Sequence, residues 1–131
     1  MIEEKDLAPD YSAIDPGLLE VYPLPPSQTV PSGPGNVNLI VNGVRAYSSI
    51  VGEQEPREYS VEVEYTPDDL GLDGDSLGDY LMSYSTAEIE QESMTRKIRR
   101  DLIDVLDIDD AFVEVKTTGF VTKRTQIGRP E

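Results

Sequence analysis

Seven of the ten prolines fall between Pro9 and Pro34, with Pro23, Pro25 and Pro26 nearly adjacent. Proline fixes its own φ, lacks a backbone donor and pushes the residue before it out of the helical region. This stretch therefore holds no long helix and no central strand. Residues 1–36 read as an extended arm with one short turn at Asp15-Pro16-Gly17-Leu18-Leu19. Leu18, Leu19, Val21, Tyr22 and Leu24 make it an arm that docks on a body rather than a free linker. Residues 37–131 then form that body, and a chain of 131 residues has room for one domain, not two.

Charge narrows the classes of partner. Residues 1–94 carry three basic side chains (Lys5, Arg45 and Arg57) against 19 acidic ones, a net of −16. Residues 95–131 carry eight basic and seven acidic, a net of +1, so the whole chain stands at −15. Most of such a surface repels nucleic acid and anionic membranes, and neither is expected as a partner. Low lysine and dense carboxylates suit a high-salt cytoplasm, and equally an ordinary acidic protein. No run approaches the ~18 apolar residues of a membrane span, and Met1-Ile-Glu-Glu lacks the basic start of a secretion signal. A cytoplasmic location is expected. The sequence contains no cysteine and no histidine. Thiolate nucleophiles, imidazole bases, zinc-finger sites and disulfides cannot be built from it.

The body reads as strand, strand, two helices, strand, strand. Val37, Leu39 and Val41 alternate with polar or exposed positions, and the run continues through Val44 to Tyr47. Asn42-Gly43 within it predicts a hairpin turn or a bulge. Tyr59, Val61, Val63 and Tyr65 face one way along a second strand, with Ser60, Glu62 and Glu64 facing the other. A short helix is expected over 73–82. A longer one is expected to open at Ser85, capped reciprocally with Glu88, and to run to Leu106 on an apolar stripe of Met94, Ile98, Leu102, Val105 and Leu106. Strands at Ala111–Thr118 and Phe120–Ile127 close the list. The fold class is α+β: a four-stranded antiparallel sheet in ββααββ order with helices on one face.

That order, with these residues, resembles the tunnelling-fold (T-fold) family, and within it the 7-cyano-7-deazaguanine nitrile reductases of queuosine synthesis. Ile14-Asp15-Pro16-Gly17-Leu18-Leu19 through Pro23 is similar to the family's opening segment. Ala46-Tyr47-Ser48-Ser49-Ile50 through Pro56-Arg57 to Tyr65 aligns without a gap on the strand that carries the family's cysteine and aspartate, which favours one long first strand with a bulge. Leu72 through Leu81 falls on its cofactor motif, and Tyr84 through Leu102 on the helix that bears its His-Glu pair. The resemblance implies subunits joined edge to edge into rings.

At the positions where the family's chemistry resides, this chain has other residues. The resemblance puts Ile50 where the nitrile is attacked by a thiolate and Arg57 where an aspartate gives a proton; neither side chain does that chemistry. The histidine of the pair is Gln91. The cofactor lysines fall at Asp75 and Gly78, and Asp73, Asp75 and Asp79 would repel a cofactor's phosphates. Neither nitrile reduction nor the related thioimide-dependent amidine formation is expected, and no cofactor or metal is. Glu92 matches the glutamate with which T-fold proteins hold the N–H edge of a purine or pterin, a role that suits a carboxylate. Four residues before Arg96, it equally suits a helix-surface ion pair.

The ligand candidates are therefore Glu92, Gln91, Ile50, Arg57 and Asp73. Arg96, Arg99 and Arg100 are candidates for contact with the acidic face of a neighbouring subunit, with Lys97–Asp101 and Arg100–Asp104 available as pairs along the helix. Three functions follow. The first is a non-catalytic oligomeric structural or assembly protein, of a virus particle or another shell. The second is a deazapurine or pterin carrier or regulator using Glu92. The third is an enzyme of 7-deazaguanine metabolism with altered chemistry, built on carboxylates and a metal.

Overall fold

The computed structural model describes residues 13–24, 36–47, 56–117, 119 and 121–128. Ile50, Thr118, Phe120 and most of the proline-rich arm lie outside the described residues. Strands β2 (Val37–Ala46), β3 (Arg57–Tyr65), β5 (Phe112–Thr117) and β6 (Arg124–Ile127) form one antiparallel sheet in the order β2-β3-β5-β6. Helices α1 (Gly74–Met82) and α2 (Gln91–Leu106) pack on one face of it. Short strands β1 (Val21–Pro23) and β4 (Leu70–Leu72) make a second, two-stranded sheet. This is the expected α+β arrangement, with β1–β4 added.

Alternation explains the sheet. Tyr59, Val61, Val63 and Tyr65 of β3 and Val113 and Val115 of β5 are buried beneath the helices, against Met94, Ile98, Leu102 and Leu106 of α2. Ser60, Glu62 and Glu64 face away from them, as period-two patterning requires. On β2 the phase of the apolar residues changes, from odd numbers (Val37, Leu39, Val41) to even ones (Val44, Ala46). A bulge does this. Val41 pairs with Val61 and Val44 with Tyr59, so Asn42 and Gly43 together oppose Ser60. Gly43 supplies the positive φ (77°), and the Ser60 hydroxyl donates to Asn42 Oδ1 at 2.9 Å.

The described part of the arm is docked. Ile14 and Leu19 are buried in the main core, each contributing about 1.5–3 kcal/mol by removal from water. A 3₁₀ turn at Pro16–Leu18 fills the expected turn, capped by the Asp15 carboxylate on Gly17 N–H. Serines within and just after α1 receive the arm's backbone: Glu20 N–H donates to Ser76 Oγ and Asp15 N–H to Ser83 Oγ. Strand β1 then finds in Leu70–Leu72 a partner that sequence patterning left as loop.

Two boundaries differ from expectation. Helix α2 begins at Gln91, not Ser85, because the backbone of 87–89 is extended and occupied: Tyr47 N–H donates to Ala87 O, and Ile89 N–H to Tyr47 O. Ala87 and Ile89 bury their side chains there, while Ser85 lies in a 3₁₀ turn at Ser83–Thr86. The last strand is four residues, Arg124–Ile127, shorter than the expected Phe120–Ile127. Lys123 is instead held by Thr117, whose N–H donates to Lys123 O and whose hydroxyl accepts from Lys123 N–H. Among the described residues no helix is long and apolar enough to cross a membrane.

Candidate functional site

The start of α2 is the most densely organised polar region of the sheet's helical side. Gln91, its first residue, is buried. Its amide nitrogen donates to Val115 O at 2.9 Å and to Lys123 O at 3.0 Å, tying the helix to β5 and to the approach of β6. Its Oε1 is buried and has no hydrogen-bond partner among the described residues. A buried acceptor left open costs about 1–3 kcal/mol, so this oxygen marks a place where a donor belongs.

Glu92 follows and points outward. Its Oε2 accepts from Lys123 Nζ at 2.9 Å, and its own backbone N–H also donates to the carboxylate. The Lys123 hydrogen bond, ahead of that backbone bond, holds the carboxyl below its ordinary range; the charge of Arg96 adds to the effect. The direct partner is thus Lys123, 31 residues on, rather than Arg96 one turn along the helix. Thr95 stacks above, its hydroxyl donating to Gln91 O at 2.7 Å and meeting Thr125 Oγ1 at 2.5 Å. Between α2 and β6, Glu92, Thr95 and Thr125 line an open cleft of about 250 Å³ with Arg96, Gln126 and Ile127.

The other candidates are dispersed. Arg57 opens β3 opposite Ala46, at the same end of the sheet as Thr117 and the Lys123 turn. Asp73 lies beyond the opposite end of β3, next to Leu72, whose N–H donates to the Tyr65 hydroxyl. It caps α1, its carboxylate accepting from Ser76 N–H at 3.1 Å. Arg99 is engaged within the chain: it pairs with Asp110 at 2.6 Å and donates to Ala111 O, fastening α2 to the start of β5. Arg96 and Arg100 are exposed. Lys97 pairs with Asp101 as expected, at 2.9 Å. A larger cleft of about 400 Å³ lies at the far end of the sheet, between the turn after β3 and the α2–β5 turn, edged by Asp68, Asp107, Asp109 and Asp110 over Phe112. Among the described residues no group of three or more carboxylates is arranged to hold a metal ion.

Two helices laid on one face of this four-stranded antiparallel sheet match a solved fold. The archaeosine synthase QueF-Like in its apo form aligns with a TM-score of 0.66 over 73% of this chain and 94% of that one. The chain has the T-fold. Sequence identity to that protein is 21%, which carries the fold and not the activity. No protein-family model and no curated protein matches the sequence.

Lys123 is the site residue that sequence reading did not single out. Only the hairpin geometry of β5 and β6 brings its ammonium to Glu92.

Proposed function

We propose that this chain is a non-catalytic T-fold protein that acts by assembly, as the repeating structural subunit of a ring or of a larger shell, a virus particle included. The observation that carries this reading is β2. It is ten residues long, it lies at the sheet edge, and its Ile40 is 58% exposed. A long edge strand with apolar side chains is a template for another strand. The opposite edge, β6, offers the second strand of such a pairing. On the uncovered face, Arg45, Glu58, Glu62 and Glu64 of β2 and β3 sum to +1 − 3 = −2. Glu114, Lys116 and Arg124 of β5 and β6 sum to −1 + 2 = +1. Setting β2 of one copy against β6 of the next continues the sheet from subunit to subunit; the edge strands themselves carry one cation each, Arg45 and Arg124, with the glutamates one strand in on β3. Such head-to-tail contacts close into rings when the rotation from copy to copy divides a full turn. The lack of any cysteine or histidine supports a role without thiolate or imidazole chemistry.

Sedimentation velocity across salt tests this. At a net charge of −15 the copies repel one another, so association is expected to strengthen as salt rises from low to molar levels. A monomer at every salt and protein concentration would overturn the assembly reading.

A second reading is favoured by Glu92 on the cleft between α2 and β6: an exposed carboxylate at a helix start suits a small planar ligand with an N–H donor edge, as in a deazapurine or pterin. Calorimetric titration with guanine, 7-cyano-7-deazaguanine and a pterin is the check. Binding that disappears in Glu92→Ala supports a carrier or regulator, and absence of heat from all three removes this reading while leaving assembly intact.

A further inference from the structure

We propose that Lys123 is a built-in counter-ion that keeps the Glu92 carboxylate closed to ligand until the ion pair opens; this regulation rests on the ligand-holding reading of Glu92. A donor edge with two parallel N–H groups draws on both carboxylate oxygens and on their full negative charge. Here the Lys123 ammonium takes Oε2 at 2.9 Å, and the residue's own backbone N–H also binds the carboxylate. The ligand must therefore displace the ammonium or bind a carboxylate whose charge is already neutralised.

The placement of Lys123 is held by its backbone rather than left to a roaming side chain. Its carbonyl accepts from Gln91 Nε2 and from Thr117 N–H, both at 3.0 Å, and its N–H donates to Thr117 Oγ1 at 3.1 Å. Gln91, the residue before Glu92, thus fixes the turn that delivers the cation to Glu92. The pair itself is half-exposed, with side-chain exposures of 49% and 51%. It can open by rotation of the lysine stem with the turn still fastened. An exposed pair of this kind shifts an equilibrium by up to about fivefold, and salt weakens it. Lys123 acts here as a gate set by ionic strength.

The test titrates guanine, which carries the required donor edge, into wild type, Lys123→Met and Glu92→Ala at low and high salt. Carbon-detected NMR of the Glu92 carboxyl runs in parallel. Methionine keeps the stem and removes the charge. Lys123→Met is expected to bind guanine about threefold to fivefold tighter than wild type at low salt, with the gap closing at high salt, and its Glu92 carboxyl to titrate higher. Equal affinity in wild type and Lys123→Met, with binding lost in Glu92→Ala, overturns the gate and leaves the ligand reading standing. No binding in any form at any salt overturns both. A Glu92 titration unmoved by Lys123→Met overturns the gate whatever the calorimetry gives.

Discussion

Gly128→Ala is expected to destabilise the protein by about 3 kcal/mol or more and to lower its melting temperature by about 10 °C. Gly128 ends β6 with φ +90°, where a side chain is strained. A Cβ placed there would lie 2.1 Å from Ala111 O, 2.9 Å from its carbonyl carbon and 3.0 Å from Phe112 Cα. Those are backbone atoms at the start of β5, so no rotamer change relieves the contact. The strand must separate instead, and β6 is attached to the sheet only along β5. Gly43→Ala is the matched comparison. It has φ +77° but nothing within 4 Å of the added atom, so it bears the conformational cost alone, about 1 kcal/mol. Thermal unfolding followed by far-ultraviolet circular dichroism gives both values. Equal melting temperatures for the two variants would show that the Ala111 contact is not there.

The second large effect lies between the helices. Asp101, 6% exposed, accepts from the Tyr80 hydroxyl at 2.5 Å and pairs with Lys97, whose side chain is 14% exposed. Tyr80 in turn shares a hydrogen bond with Tyr84 at 2.7 Å, their rings edge to face at 5.4 Å. Removing one member of an ion pair held largely out of water takes from the other its opposite charge. Asp101→Leu and Lys97→Met are each expected to cost about 3 kcal/mol, and the double variant less than the sum. Urea unfolding of all four proteins measures the coupling, and strict additivity would mean the two charges do not interact. Burial, then Tyr84 and Asp101, push the Tyr80 hydroxyl far above the ordinary 10.0. It stays a neutral donor when folded. Above pH 10 the unfolded chain loses that proton and the folded one does not, so stability is expected to fall as pH rises through that range.

Much of this architecture was legible because strand alternation is a local signal. Tyr59–Tyr65 announces its buried face by itself, and Gly43 marks a bulge that the change of apolar phase on β2 requires. The α2 stripe likewise names Met94, Ile98, Leu102 and Leu106. The start of α2 was misread for a physical reason. Ser85 and Glu88 satisfy the local rule for a cap, but the sheet edge at Tyr47 captures the backbone of 87–89 first. The Glu92 partner was misread in the same way. Helix spacing offers Arg96, while the turn after β5 delivers Lys123 from far along the chain. Strand β4 was silent, since Leu70-Gly71-Leu72 becomes a strand only when β1 arrives beside it. Local patterns were readable; pairings made across the fold were not.

The sheet edges carry the functional conclusion, and Ile40→Lys probes them most directly. Ile40 points off the uncovered face at the edge strand, opposite Glu62, so a lysine there leaves the single subunit folded and places a cation where basic β6 of the next copy would sit. Equilibrium sedimentation of wild type and Ile40→Lys in molar salt is the decisive measurement. Wild type is expected to be a closed oligomer and the variant a folded monomer. An oligomer of unchanged size and strength in Ile40→Lys, or a monomeric wild type, would contradict assembly through β2.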